Sequence, residues 1–181
     1  ALYPEVQILA GRGCPFRCTF CEWPAVYIGR ITRLREVSNV VDEMEWTRTY
    51  AKDVKEIVFE DDTFGLSRPW LSNFLREIIQ RKLDVVWSCQ VRADLDYPTL
   101  FHMKNAGCRQ VIVGFESGDE TILRNIKKGI SIQQIQNFAH NTKKAGLILQ
   151  GDFIIGLPGE NRKTIKKTRR LIEEIKPDIL Q

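Results

Sequence analysis

Three of the chain's five cysteines lie within a stretch of eight residues, at Cys14, Cys18 and Cys21. They follow a short apolar run, residues 6–10, whose pattern predicts a buried strand. Glycines and prolines accompany the cysteines, at Gly11, Gly13, Pro15 and Pro24. Because these residue types disfavour regular structure, we predict a loop at a strand end that brings three thiolates to one metal centre.

The spacing Cys-x3-Cys-x2-Cys restricts the kind of metal centre. A closed structural zinc site takes four ligands, and the nearest histidine, His102, is far away along the chain. Iron–sulfur clusters are normally held by four cysteines, so a set of three leaves one iron open to a ligand from outside the protein. The spacing alone also allows a metal-free or zinc-binding loop, and the rest of the chain has to distinguish these cases.

The composition is that of a globular chain. Its 181 residues are enough for one domain with a sizeable core, and 43% hydrophobic with 28% charged residues are ordinary values. No apolar run is long enough to cross a membrane and no signal peptide is seen, so we predict a cytoplasmic protein without a transmembrane segment. An odd number of cysteines fits a reducing compartment and metal ligation better than disulfides. The net charge of +4 gives little reason to expect a nucleic-acid partner.

Apolar, β-branched segments alternate along the chain with segments of helical spacing. The predicted strands cover residues 6–10, 57–59, 85–91 and 111–115, part of 147–155, and the start of a sixth strand near 177–181. The helices between them begin at capping residues, Ser38, Ser67, Asp96, Asp119 and Ser131. This alternation, without hairpin signals, predicts an α/β fold with a parallel sheet, and we expect a partial (β/α) barrel. A doubly wound sheet is the alternative, but its phosphate-binding fingerprint is absent.

The residues that could carry chemistry collect where the predicted strands end. In parallel α/β folds the carboxyl ends of the strands share one side of the sheet and hold the functional groups. After the cysteine loop, these positions are Glu60, Asp61, Asp62, Arg92, Glu116, Ser117, Gly156 and Leu157. We expect the set to face a single pocket. Taken singly, such residues can also be caps or surface groups, as when Arg92 pairs with Asp94.

Other conspicuous residues are predicted to be structural. We expect Cys89 and Cys108 to be buried core thiols, and His102 and His140 to lie on the surface of helices. The basic run of the last helix is predicted to be a solvated face rather than an RNA-binding patch: Lys163, Lys166, Lys167, Arg169 and Arg170.

The cysteine motif, with Phe20 directly before Cys21, resembles the signature of radical S-adenosylmethionine (SAM) enzymes. The resemblance implies that Cys14, Cys18 and Cys21 hold a 4Fe-4S cluster, and that the amino and carboxylate groups of SAM bind the fourth iron. It also implies a reaction, in which SAM is reductively cleaved to a 5′-deoxyadenosyl radical that abstracts hydrogen from a substrate. Catalytic residues are not assigned.

The resemblance extends to the residues that would bind SAM. Glu60, Asp61 and Asp62 match the motif that holds the SAM amino group, and Arg92 matches a position that pairs with its carboxylate. The remaining assignments concern the nucleoside of SAM: Glu116 and Ser117 at the ribose, and Phe20, Ile155, Gly156 and Leu157 at the adenine.

A finer resemblance is to cobalamin-binding radical SAM proteins of the hopanoid-biosynthesis-associated type. It is carried by residues 60–64, 87–89, 92–97, 114–119, 126–129 and 151–160. It implies cobalamin bound through a domain outside this chain, a lipid or other small-molecule substrate, and a reductant protein such as flavodoxin or ferredoxin. We accordingly predict residues 1–181 to be the radical SAM core of a longer protein, with flanking domains missing at both ends.

Two other classes of protein stay open on the sequence alone. A tRNA-modifying methylthiotransferase would carry an additional cysteine-bearing domain and an RNA-binding module. A non-enzymatic zinc-binding module would be colourless and stable in oxygen.

Overall fold

The structure is a computed structural model that describes residues 2–23 and 30–181. Pro24, which the sequence places in the cysteine loop, lies outside the described residues. In chain order the elements are β1 (Glu5–Ile8), β2 (Gly11–Arg12), β3 (Arg33–Leu34), α1 (Val37–Tyr50), β4 (Glu56–Phe59), α2 (Arg68–Gln80), β5 (Trp87–Gln90), α3 (Tyr97–Asn105), β6 (Cys108–Glu116), α4 (Glu120–Asn125), α5 (Ile132–Lys144), β7 (Ile148–Phe153), α6 (Arg162–Ile175) and β8 (Ile179–Leu180).

Six of the strands form one parallel sheet in the order β1-β4-β5-β6-β7-β8. The order in space follows the order in the chain, with helices in the connections, whereas a doubly wound sheet reverses direction at its switch point. The predicted α/β fold with a partial (β/α) barrel is therefore confirmed. The six strands of this sheet all end on the same side, which brings the strand-end residues to one edge of the sheet.

The short antiparallel pair of β2 and β3 was not predicted. Gly11 pairs with Leu34, and a Cβ on Gly11 would lie 2.6 Å from a Leu34 methyl carbon. Glycine thus permits a close approach of two segments that are too short to show a strand pattern. The cysteine loop begins from this pair, so it is more regular at its start than its glycines and prolines suggest.

Helix starts were predicted well where a side chain caps the first turn. Ser67, Asp96, Asp119 and Ser131 each accept a backbone N–H bond at an N-terminus, as predicted. The predicted cap at Ser38 is wrong, because α1 begins at Val37, which already packs against the core, and its N-cap residue Glu36 makes no side-chain capping bond. Within the described residues, no helix has the length and apolar character needed to span a bilayer.

The core lies between the sheet and its helices. Aromatic side chains fill its centre, with Phe59 packed edge-on against Phe74 and Trp87. Cys89 and Cys108 are buried there, as predicted. Ile79 on α2 is 48% exposed, and α6 buries Thr168, Leu171 and Ile175. His102, His140 and the basic run of α6 are exposed, as predicted.

Candidate functional site

The three clustered cysteines are half-buried and free. The Cys14 sulfur lies 3.8 Å from Thr63 Oγ1, just beyond β4, and the Cys18 sulfur lies 3.8 Å from the Lys127 carbonyl, just beyond α4. The loop is therefore placed over the carboxyl ends of the strands, where the sequence predicts it.

The thiols of the cysteine loop lie close to one another and to Asp62. Burial raises the pKa of the Cys21 thiol, and Cys18, Cys14 and Asp62 are close enough to raise it further. A bound cationic centre would relieve this repulsion, since metals bind the thiolate form. Among residues 2–23 and 30–181, no three His, Cys, Asp or Glu side chains converge on the position of a single metal ion. The assignment of the cysteines to a cluster stays a prediction from their spacing.

Two carboxylates after β4 hold the backbone of the cysteine loop. Asp62 Oδ2 accepts from the Gly13 amide at 2.7 Å, and Asp61 Oδ2 accepts from the Ala10 amide at 3.0 Å. Asp61 is 3% exposed, and burial raises its pKa to about 6. This placement gives Asp61 a structural role in holding the loop. Glu60 is exposed and remains accessible from solvent.

Gly13 makes the turn into the first cysteine possible. Its φ of +92° is in the left-handed region, and a Cβ would lie 2.1 Å from the Ile31 carbonyl oxygen. A residue with a side chain cannot occupy this position without moving the loop. The glycine therefore fixes where Cys14 stands.

Arg92 links the cysteine loop to a second segment. Its guanidinium carbon lies 3.5 Å from the centre of the Phe16 ring, and Nη2 donates to the Lys128 carbonyl at 2.6 Å. The surface pairing with Asp94 that was considered from the sequence does not occur, because Asp94 pairs with Arg68. Arg92 is 8% exposed, so it lies inside the site as a structural tie.

Residues 126–129, here called the IKKG segment, form the second support of the cysteine loop. The Thr19 amide donates to the Ile126 carbonyl at 2.9 Å, next to the contact between Cys18 and Lys127. Lys128 Nζ lies 5.8 Å from the centre of the Phe20 ring. The segment thus binds the loop by backbone and side chain, and it brings an ammonium group beside the predicted cofactor position.

Lys128 is the site residue that sequence reasoning missed. Its ammonium donates to Glu116 Oε1 at 2.7 Å, and both side chains are largely buried, at 12% and 6% exposed. Glu116 ends β6 with a φ of +66°, a strained conformation for a residue with a side chain. The sequence held one signal for Lys128, since the IKKG segment is among the motifs that carry the resemblance. The spacing of residues alone does not show that Lys128 pairs with Glu116.

The other residues predicted to contact the nucleoside differ in how exposed their side chains are. Ser117 is fully buried, and its hydroxyl oxygen lies 3.4 Å from Thr168 Oγ1. Glu160 Oε2 accepts from the amides of Gly156 and Leu157, at 2.6 and 3.3 Å, and closes the turn after β7. Ile155 is 65% exposed at that turn, which leaves its side chain available for packing.

The ion pair of Lys128 and Glu116 can be tested by a matched pair of variants. Lys128→Met is expected to lower the free energy of unfolding by about 1.5–3 kcal/mol, because a buried carboxylate loses a charged hydrogen bond. Lys127→Met is the control, since Lys127 is the exposed neighbour and surface substitutions change stability by about 0.5 kcal/mol or less. Denaturant unfolding followed by circular dichroism compares the two. Equal losses in both variants would contradict the assigned pairing.

The fold and the cysteine loop define a class of protein, the radical SAM enzymes. The sequence profile of the radical SAM superfamily matches residues 8–172. The chain therefore belongs to the radical SAM superfamily, whose members use a 4Fe-4S cluster and SAM. The predictions of the family, of an enzyme and of these two cofactors are confirmed.

Two of the relatives are named methyltransferases. An uncharacterized methyltransferase of Pyrococcus horikoshii is 34% identical over 98% of this chain and 39% of its own length. Bacteriochlorophyllide d C-12(1)-methyltransferase of Chlorobaculum tepidum is 30% identical, over 90% of this chain and 36% of its own length. The chain thus spans less than half the length of these relatives.

A solved structure confirms the fold. TsrM of Kitasatospora setae, a radical S-adenosylmethionine methyltransferase with cobalamin and a 4Fe-4S cluster bound, superposes with a TM-score of 0.88. The match covers 97% of this chain and 36% of TsrM, at 24% sequence identity. At this identity the likeness establishes the partial barrel and leaves the substrate open.

Proposed function

We propose that the chain is the radical SAM core of a cobalamin-dependent enzyme that uses the 5′-deoxyadenosyl radical to abstract hydrogen from its substrate. The observation that carries this proposal is the loop of three half-buried cysteines held over the strand ends of the sheet. When bound there, the cluster supplies the electron that cleaves SAM. This chain's own residues hold the loop and shape the pocket.

Three groups of residues in this chain would hold the cluster in place. Cys14, Cys18 and Cys21 would bind the cluster through their thiolates. Asp62 fixes the start of the loop, and the IKKG segment fixes its middle, so that the three sulfurs keep their places relative to the strands. Such preorganisation matters because a misplaced reacting group lowers the rate steeply.

The SAM molecule would lie between the cysteine loop and the ends of β6 and β7. Phe20 and the exposed Ile155 offer apolar contact to the adenine, and Glu116 would accept from the ribose hydroxyls while paired with Lys128. Glu60 and Asp62 would face the SAM amino group. These roles are part of the proposal, and they leave out Asp61 and Ser117, whose side chains are bound inside the protein.

The use of cobalamin is proposed from the relatives. Two curated relatives are named methyltransferases, and the structure of TsrM contains cobalamin beside a 4Fe-4S cluster. Since the chain spans under two fifths of these proteins, cobalamin would be bound by a part of the enzyme outside this chain. A small protein electron donor, such as flavodoxin or ferredoxin, would reduce the cluster in the cytoplasm. The lipid substrate implied by the resemblance has no support in the described residues.

The test is anaerobic reconstitution of the full-length protein with iron and sulfide. We expect about four irons per chain and a brown protein, followed by formation of 5′-deoxyadenosine when SAM and dithionite are added. Cobalamin dependence is measured in parallel, as methyl transfer from labelled SAM with and without added cobalamin. A colourless, oxygen-stable protein that binds zinc would overturn the proposal.

A further inference from the structure

The face of the sheet that looks away from the helices is polar. On β4 and β5 the core takes Ile57, Phe59, Trp87 and Cys89, so the alternate residues lie on the opposite, inner face. The strand pairings extend this face across the sheet: Glu5, Gln7, Glu56, Val58, Ser88, Gln90, Gln110, Ile112, Gly114, Ile148, Gln150, Asp152 and Ile179. Amides and carboxylates outnumber aliphatic side chains. In closed barrels the same face is filled by Val, Ile and Leu, which pack against one another. The polar side chains of this face do not form such a packed apolar interior.

A hydrogen-bonded row fixes the centre of the inner face. Gln110 Nε2 donates to Gln150 Oε1 at 2.9 Å. Gln150 Nε2 donates in turn to Asp152 Oδ1 at 3.1 Å and to Gln181 Oε1 at 3.0 Å. Within residues 2–23 and 30–181, Asp152 Oδ2 accepts no hydrogen bond. The row therefore presents oriented polar groups with acceptor capacity left for a ligand.

The row leads directly to the cofactor site. Asp152 pairs in register with Gly114, and a Cβ at Gly114 would lie 2.2 Å from Glu116 Oε1 and 3.1 Å from Lys128 Nζ. Burial raises the pKa of Asp152, while the hydrogen bond from Gln150 and the charge of Lys128 act in the opposite direction. A molecule lying on Gln150 and Asp152 would reach the same strand ends as the cysteine loop.

Space for a small molecule opens beside the loop on this face. A cavity of about 350 Å³ lies there, and it is lined by Gln7, Leu9, Gly11, Arg12, Trp23, Glu60 and Asp62. This volume is in the range of small-molecule sites. Gln7, Arg12, Glu60 and Asp62 supply its polar groups, and Leu9 and Trp23 supply its apolar surface.

We propose that the substrate of this enzyme is a polar, water-soluble molecule that donates hydrogen bonds to Asp152 and the neighbouring amides, rather than a lipid. The inference rests on the proposed function and names the substrate class of that site. A hydrocarbon chain on the inner face would strip water from Gln90, Gln150 and Asp152 without replacing its hydrogen bonds. A site built to hydrogen-bond its substrate discriminates strongly against a molecule that lacks the matching groups.

The experiment uses the full-length enzyme with its cluster, SAM and dithionite, and measures 5′-deoxyadenosine. The probes are the aqueous phase and the chloroform phase of one extract of the source cells. We expect the aqueous phase to raise the rate above the substrate-free rate, and the chloroform phase to leave it unchanged. Stimulation by the chloroform phase would overturn the inference. A protein that forms no 5′-deoxyadenosine under any condition would instead overturn the proposed function, and the inference with it.

Variants locate the effect on the inner face. Gln150→Leu is expected to need about 10-fold or more aqueous extract for half-maximal stimulation, because Asp152 and Gln110 lose a shared partner. Gln90→Leu tests the same face at an exposed position, where folding is not at risk, and should shift the response in the same direction. Gln133→Leu, on the exposed side of α5, is the control and should respond as the unchanged enzyme. Normal responses in both Gln150→Leu and Gln90→Leu would overturn the inference.

Discussion

Replacement of Cys18 by alanine is expected to remove the cluster and the reaction together. Bound iron and 5′-deoxyadenosine formation should both fall to about 1% or less of the values for the unchanged protein. A 4Fe-4S cluster needs cysteine ligands on at least three of its irons, and the variant keeps only two of the three thiolates. The Cys18 sulfur faces the cofactor edge of the sheet from the middle of the loop, at the Lys127 carbonyl. Iron analysis and product chromatography after anaerobic reconstitution measure the two quantities.

The matched control is Cys108→Ala. Cys108 is 1% exposed in the core, and its sulfur lies 3.5 Å from the Gln110 carbonyl oxygen. Loss of a small buried group should cost about 1 kcal/mol of stability and leave colour and activity in place. If Cys18→Ala kept its iron, or if Cys108→Ala lost it, the assignment of the three ligands would be wrong.

The second large effect is expected from Arg109→Leu, through stability. The Glu56 side chain is fully buried, and Arg109 donates to both of its oxygens, at 3.1 and 2.9 Å. Removing the arginine leaves a buried carboxylate without its cation, which typically costs about 3–5 kcal/mol. Arg169→Leu is the control: its pair with Glu173 is exposed on α6, and such pairs contribute about 0.3–0.5 kcal/mol. Unfolding free energies from denaturant titration compare the two variants.

The same pair predicts a dependence on pH. Burial alone would raise the pKa of Glu56, but the hydrogen bonds and charge of Arg109, together with hydrogen bonds from the Leu2 amide and Ser88, outweigh burial and hold the pKa below its ordinary value of 4.5. The pair therefore stabilises the protein above pH 4.5, and this stabilisation is lost as the pH falls through the folded-state pKa. Arg109→Leu removes the main group that opposes burial and leaves only the hydrogen bonds from Leu2 and Ser88, so the pKa of Glu56 should rise and the deficit of the variant should shrink as the pH is lowered toward 4.5. A deficit that stayed constant from pH 7 to pH 4.5 would contradict this account.

Much of the fold was predictable because its signals are local. A capping side chain acts within one helical turn, and an apolar repeat is visible within one strand or helix. The starts of α2, α3, α4 and α5 could therefore be predicted from the sequence. The pair of β2 and β3 was not predictable in this way. Gly11 and Leu34 meet across more than twenty residues of chain, and two-residue strands have no period to detect.

The candidate site was predictable as a place and less so as a set of contacts. Parallel strands end on one side, which put the cysteine loop, Glu116 and Arg92 together. Which side chain binds which could not be predicted, because the partners come from distant segments. Asp61 accepts a hydrogen bond from the Ala10 amide, and Arg92 donates one to the Lys128 carbonyl. Neither pairing can be detected from the spacing of residues in the sequence.

The most direct test is electron paramagnetic resonance of the dithionite-reduced, full-length protein with and without SAM. Three cysteine ligands leave one iron of a 4Fe-4S cluster open, so we predict the spectrum of a reduced 4Fe-4S cluster that changes when SAM is added. A spectrum that SAM leaves unchanged, or a metal held by four ligands from the protein, would contradict the account.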